Sequence, residues 1–204
     1  MSIQQYLVSQ FKRPHGLLGE LAGYTMSSRP SNIRRNQWTL ELLDLQPGDH
    51  LLEVGFGPGL AIENASKLIN DGLIIGIDHS NTMMLQASRR NKLGIQQGKI
   101  NLYLGSVETL PVTGRLFNKI MSANVVQFWK DPVSTFKILR SLMVEGGMIA
   151  TTYMPRHYGA TSIDASNKAD EIIKQLKLAG FTEYVLEELK MEPVSAISVL
   201  AKNV

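Results

Sequence analysis

The sequence predicts an α/β fold: a mostly parallel sheet, covered by helices on both faces, with one antiparallel strand near the C-terminus. Three observations carry this. Short apolar runs alternate with stretches of helical periodicity from about residue 50 to residue 180, the pattern of successive βαβ units. A glycine cluster, Gly55, Gly57 and Gly59, follows the first of these runs. The last two β-rich stretches, about 183–191 and 194–201, are joined only around Glu192 and Pro193. So short a link permits a hairpin and forbids a parallel crossover, so one strand of the pair is antiparallel.

Each element has its own signal. Up to about residue 30 the pattern is irregular, punctuated by Pro14, Gly16, Gly19, Gly23 and Pro30. Ser31 or Asn32 is placed to cap a helix with Trp38, Leu42 and Leu45 on one face, closed by Pro47, Gly48 and Asp49. Residues 51–55 are a short apolar run into glycine, a buried strand. Ala61, Ala65, Leu68 and Ile69 form a helical stripe that ends at Asn70, Asp71 and Gly72. Residues 73–78 read as a second strand, and a helix begins near Ser80 or Asn81 and runs to about Lys92. Strands are expected at 100–104 and 118–123. Phe136, Leu139 and Met143 mark the next helix, Gly146 and Gly147 end it, and residues 148–153 form a strand. Ile172, Leu176 and Ala179 mark the last helix, stopped by Gly180. No internal repeat or low-complexity tract interrupts the series.

The chain has 204 residues, 44% hydrophobic and 19% charged, a balance that supports a core and excludes a disordered chain. At about 1.4 typical domain lengths, one domain with an elaboration is expected. No apolar run approaches the roughly 18–20 residues of a membrane helix, so neither a transmembrane nor a secreted reading is supported and a cytoplasmic location is expected. The absence of cysteine excludes disulfides, thiolate metal sites and a cysteine nucleophile. No histidine–acid cluster suggests a metal site. The net charge of +3 is uneven: residues 1–40 carry +4, from Lys12, Arg13, Arg29, Arg34 and Arg35 against Glu20. This front end suits an anionic substrate, a nucleic acid or a membrane surface, or is simply a solvated helical face.

The glycine loop is the most informative stretch. A strand that turns sharply into a helix needs residues tolerant of unusual φ/ψ, and the helix N-terminus then offers free N–H groups to an anionic ligand group. In open α/β sheets ligands bind in that crevice at the carboxyl ends of the strands. The spacing fits neither standard phosphate motif: the third glycine comes one residue early for G-x-G-x-x-G, and no Gly-Lys-Ser/Thr ends the loop. Asp78 closes the second strand, 23 positions after Gly55, where a carboxylate can accept both hydroxyls of a ribose. The alternative is a cap for the following helix, which Ser80 or Asn81 would supply as well.

With these motifs in view, the chain resembles the class I S-adenosylmethionine-dependent methyltransferases, in the type 11-like, small-molecule group. The match is E-x-G-x-G-x-G at 53–59, G-I-D-H-S at 76–80, G-S-V-E-x-L-P at 105–111 and the strand end at 122–129, followed by Leu139, Arg140, Ser141, Leu142 and then Glu145, Gly146, Gly147. It covers about residues 45–202. The resemblance implies a Rossmann-like three-layer sandwich with seven strands, a methyltransferase domain over 46–204, and an N-terminal helical lid over 1–45. It implies S-adenosylmethionine as cofactor and S-adenosylhomocysteine as product. The Gly55, Gly57 and Gly59 loop would pass beneath the methionine half, with Glu53 reaching its amino end. Asp78 would hold the ribose and His79 would lie against the adenine. Ser106 stands where the family usually has an acid for the adenine amino group, so its hydroxyl or the Val107 backbone would make that contact. Asn124 would face the sulfonium and the substrate, with Gln127 and Trp129 candidates for the same mouth; packing under Pro132 is an equal alternative for Trp129.

Methyl transfer disperses charge in the transition state, so proximity and alignment can supply most of the acceleration. A hydroxyl acceptor would benefit from a base, for which His15 and His157 are candidates, ahead of His79. The acceptor pocket is expected from residues 1–35, with Phe11, His15 and Tyr24, and from residues 153–159. Walls this short favour a small-molecule acceptor, and transfer to one of its O or N atoms is expected. No basic stripe interleaved with aromatics points to nucleic acid. A lipid headgroup acceptor with peripheral membrane contact, or a non-catalytic cofactor-binding protein, are the alternatives. A monomer or homodimer is expected.

Overall fold

A computed structural model describes residues 29–111 and 114–204. The elements are α1 (Pro30–Leu43), β1 (His50–Val54), α2 (Leu60–Ala65), β2 (Leu73–Asp78), α3 (Asn81–Arg90), α4 (Lys92–Gln96), β3 (Ile100–Leu104), β4 (Phe117–Ala123), α5 (Pro132–Ser141), β5 (Met143–Tyr153), α6 (Ser162–Leu178), β6 (Thr182–Leu189) and β7 (Ala196–Lys202). The seven strands form one sheet in the order β3-β2-β1-β4-β5-β7-β6. Only β7 is antiparallel, to both β5 and β6. The fold is the three-layer sandwich with a seven-stranded sheet that the sequence predicts.

The strands read as unbroken apolar runs because both of their faces are buried. In β1, Leu51 points into one core and Leu52 into the other. One face is covered by α1, α2 and α3 through Leu40, Leu43, Ile62, Ala65, Met83 and Ala87. The other is covered by α5 and α6 through Phe136, Leu139, Ala169, Ile172 and Leu176. Strand β1 pairs with β2 on one side and β4 on the other, so the chain reverses its direction of travel across the sheet there. That reversal opens the crevice at the carboxyl ends of β1 and β4.

Several boundaries differ from those expected. The helix after the glycine loop stops at Ala65; the Ser66 hydroxyl donates to the Glu63 carbonyl (2.8 Å) and tighter backbone turns follow. Leu68 is consequently exposed, while Ile69 stays in the core. The helix expected to run to Lys92 is split at Asn91, whose buried amide donates to the Ala87 and Gly59 carbonyls (both 3.0 Å). Met143 opens β5 instead of closing a helix, and the register shifts between Phe117 and Lys119 to absorb the turn at Gly146. The link between the last two strands is six residues, 190–195, still too short for a crossover. Among the described residues no helix is long and apolar enough to cross a membrane.

Candidate active site

The crevice is built from four strand ends. Gly55 donates its N–H to the Ile77 carbonyl (2.7 Å), Gly105 to Asp78 (2.8 Å) and Asn124 to Thr152 (2.9 Å), so each loop leaves its strand from a fixed point. Gly55, Gly57 and Gly59 all have positive φ, at 77°, 53° and 77°. At Gly55 a Cβ would come within 2.4 Å of Val125 Cγ2; both the backbone conformation and the close approach of the β4 loop require glycine here. Two residues at the end of α3 buttress the loop from behind. Arg90 donates Nε to the Pro58 carbonyl and Nη1 to Glu63 Oε2 (each 3.0 Å), and Asn91 holds the Gly59 carbonyl. Nothing local in the sequence marks this pair, because the contacts span about thirty residues.

Two acids face this loop. Glu53, on β1, is 3% exposed, and its Oε2 is buried without a hydrogen-bond partner. Burial, then the nearby charge of Asp78, hold its carboxyl well above the usual carboxylate range, against one backbone hydrogen bond from Ile62. Asp78, at the end of β2, is 7% exposed. Its Oδ2 accepts the Gly57 N–H and its Oδ1 the Ser80 N–H (both 2.9 Å). Burial raises its pKa, and these amides oppose the rise. Each oxygen keeps lone pairs for a further donor. Capping of α3 falls to Ser80, whose side chain accepts from Met83 N, so Asp78 is not needed for it.

The remaining predicted residues lie around the same rim. His79 is about half exposed, its Nδ1 4.0 Å from Asp78 Oδ1. Ser106 is exposed at the start of a 3₁₀ turn (Val107–Thr109), fixed by reciprocal bonds between its backbone and Thr109 Oγ1. The Val107 side chain is buried in the core, leaving only its backbone for a ligand. Asn124 adopts φ 57°, and its amide clasps the loop after β5: Met154 N donates to Oδ1 (2.7 Å) and Nδ2 donates to the Met154 carbonyl (3.1 Å). Gln127 Nε2 donates to the Asn124 carbonyl (2.8 Å). Trp129 packs edge-to-face on Phe136, ring centroids 5.0 Å apart, and so belongs to the core margin more than to the mouth. His157 is exposed, with Nε2 3.8 Å from Asp164 Oδ2. His15, Phe11 and Tyr24 lie outside the described residues.

The chain as a whole is similar to known proteins. Residues 51–147 match the methyltransferase domain family. The chain is 31% identical to the uncharacterized methyltransferase YdaC of Bacillus subtilis (strain 168), over 90% of this chain and 98% of the relative. This chain is a class I S-adenosylmethionine-dependent methyltransferase. Its fold is shared with an S-adenosylmethionine-dependent methyltransferase from Aquifex aeolicus (TM-score 0.72, 18% identity, covering 91% of this chain and 98% of the other). It is shared too with the N-methyltransferase NodS from Bradyrhizobium japonicum in complex with S-adenosyl-L-homocysteine (TM-score 0.71, 15% identity, 98% and 97%).

The residues of the methyltransferase fit its cofactor. The unpaired, buried Oε2 of Glu53 suits the α-ammonium of a methionine, the free lone pairs of Asp78 suit a ribose diol, and the glycine turn leaves room for both to pass. The helix behind the loop has only six residues. A helix this short offers little dipole to an anionic group.

Proposed function

We propose that this methyltransferase acts on an oxygen or nitrogen atom of a small-molecule acceptor. The observation that carries this is the brevity of the acceptor-side wall. Between β5 and α6 only residues 154–161 intervene, and among the described residues no insertion between strands forms a recognition domain for a macromolecule. The NodS N-methyltransferase, of nearly the same length and fold, is compatible with it.

In this reading Glu53 binds the ammonium of the cofactor, Asp78 the ribose and His79 the adenine face, with the Ser106 hydroxyl or Val107 backbone at the adenine amino group. Gly55, Gly57 and Gly59 let the methionine half lie against the backbone, and Asn124 lines the junction with the acceptor. When bound, S-adenosylmethionine supplies a methyl carbon that accepts the lone pair of the acceptor as its bond to sulfur breaks, with S-adenosylhomocysteine leaving and the acceptor losing a proton. The protein's contribution is alignment and exclusion of water. Where the acceptor is a hydroxyl, His157 is the described histidine on the acceptor-side loop and the candidate to take that proton; an N-terminal lid over residues 1–45 belongs to the same proposal. The cytoplasmic location belongs to the same proposal and is checked by fractionation.

The test is transfer of a labelled methyl group from S-adenosylmethionine into separated pools of small molecules, lipids and RNA. Label in the small-molecule pool is expected, lost on Asp78→Ala. Label confined to lipid or RNA would overturn the reading.

A further inference from the structure

The cofactor residues account for the β1 and β2 side of the crevice. On the β5 side stands a group of cations that they do not use. Arg35 of α1 is 5% exposed, and its Nε and Nη1 are buried without a hydrogen-bond partner. Its guanidinium is held down to about 9, well below the ordinary arginine range, first by burial and then by the charge of Arg156. Arg156, on the loop after β5, donates Nη2 to Asn32 Oδ1 on α1, and the charge of Arg29 acts on it in turn. Among the described residues no ion pair reaches Arg29, Arg35 or Arg156. Three like charges thus converge on one place, and the most buried has donors with nothing to donate to. A fold under selection for stability alone replaces such a group with an apolar one.

The position of this group relates it to the site. The carbonyl of Arg35 accepts from Thr39 Oγ1 (2.9 Å), and Thr39 Oγ1 lies 2.8 Å from Thr152 Oγ1, near the carboxyl end of β5. Arg156 is two residues beyond Met154, which Asn124 clasps at the end of β4. The arginines therefore stand on the same edge of the sheet as Glu53 and Asp78, displaced along it by the β4 and β5 strands.

We propose that Arg35 and Arg156 form an oxyanion site that holds a carboxylate or phosphate group of the methyl acceptor. The inference rests on the small-molecule reading above and adds the class of acceptor. Paired guanidinium groups present planar donor forks that match either oxyanion. The anion supplies the acceptors that Arg35 lacks and neutralises the Arg35–Arg156 repulsion. It anchors the acceptor at a distance from the reacting atom, which is how remote binding energy positions a nucleophile.

The experiment uses the full chain saturated with S-adenosylhomocysteine. It is titrated separately with sodium phosphate and sodium succinate, at ionic strength fixed with sodium chloride, following heat of binding and thermal midpoint. Phosphatidylglycerol vesicles are a third arm. Saturable binding of one of the free anions is expected, weakened about tenfold or more by Arg35→Met and by Arg156→Gln, with affinity for S-adenosylhomocysteine unchanged. Arg35→Met is also expected to raise the thermal midpoint of the ligand-free protein, which loss of a structural contact would lower; Arg156→Gln, in an exposed loop, carries the test alone should Arg35→Met not fold. Response to both anions no greater than to chloride, or equal binding by the variants, would overturn the oxyanion site and leave the small-molecule reading standing. Binding to vesicles alone, unaffected by the same variants, would overturn both.

Discussion

At Glu53 the proposed cofactor contact and the stability of the fold pull in opposite directions. Its carboxyl is buried with one oxygen unpaired and the Asp78 charge nearby. Because its folded pKa is raised above the unfolded value, the folded state binds a proton more tightly than the unfolded chain. The contribution to stability is therefore largest below about pH 4.5 and is lost as pH rises through the folded value. Glu53→Gln is expected to raise the thermal midpoint of the ligand-free protein at neutral pH and to flatten that decline. The same change is expected to weaken S-adenosylhomocysteine by about tenfold or more, since the amide cannot meet an ammonium with charge. Calorimetry with wild type and variant, across pH, reads both effects. Asp78 stands at the same scale: Asp78→Ala removes the acceptors proposed for the ribose together with the clamp on Gly57 N. Calorimetry is expected to show most cofactor affinity lost; unchanged affinity would remove Asp78 from the cofactor site.

At the scale of elements, the glycine loop and α1 are each set by a few contacts. Gly55→Ala places a Cβ against Val125 and forces alanine to φ 77°. The backbone alone is expected to cost about 1–2 kcal/mol, and displacement of the loop is expected to weaken S-adenosylhomocysteine binding further; denaturant melts and titration separate the two losses. Helix α1 is fixed on β5 by a buried chain of hydroxyls. Thr152 Oγ1 lies between Thr39 Oγ1 (2.8 Å) and Ser198 Oγ (2.9 Å). Thr152→Val leaves both neighbours short of a partner and is expected to destabilise by about 1–3 kcal/mol, seen in denaturant melts. It is also expected to loosen the turn that carries Arg35.

Across the whole molecule, ligand and stability are linked. S-Adenosylhomocysteine at a hundredfold excess over its dissociation constant is expected to stabilise the folded protein by about 2.7 kcal/mol, a rise of several degrees in thermal midpoint. Removal of residues 1–30 is expected to reduce turnover more than affinity for S-adenosylhomocysteine if the N-terminal segment acts as the proposed lid. Equal losses would assign the segment to the fold. The positive charge of residues 1–40 continues from Arg29 and Arg35 across to Arg156. Among the described residues Arg29, Arg35 and Arg156 thus gather beside β5, while the acids Glu53 and Asp78 stand on β1 and β2.

Alternation of apolar runs with helical stripes was enough to predict the parallel sheet, and the short final link the antiparallel strand, because burial on both faces and chain reach are local constraints. The positions of Glu53, the three glycines and Asp78 were equally legible: a strand–turn–helix with acids at fixed offsets constrains neighbouring residues. Other features were not. The split at Asn91, the brace from Arg90, the clasp of Asn124 on Met154 and the meeting of Arg35 with Arg156 join residues between about 30 and 120 positions apart. Their charge and hydrogen-bond state depends on what else is buried beside them. No periodicity in the chain encodes that, because desolvation and pairing belong to the packed interior and not to the order of residues. The sequence by itself determined the sheet and the glycine loop; tertiary packing alone decided which acid and which arginine are buried with polar atoms unpaired.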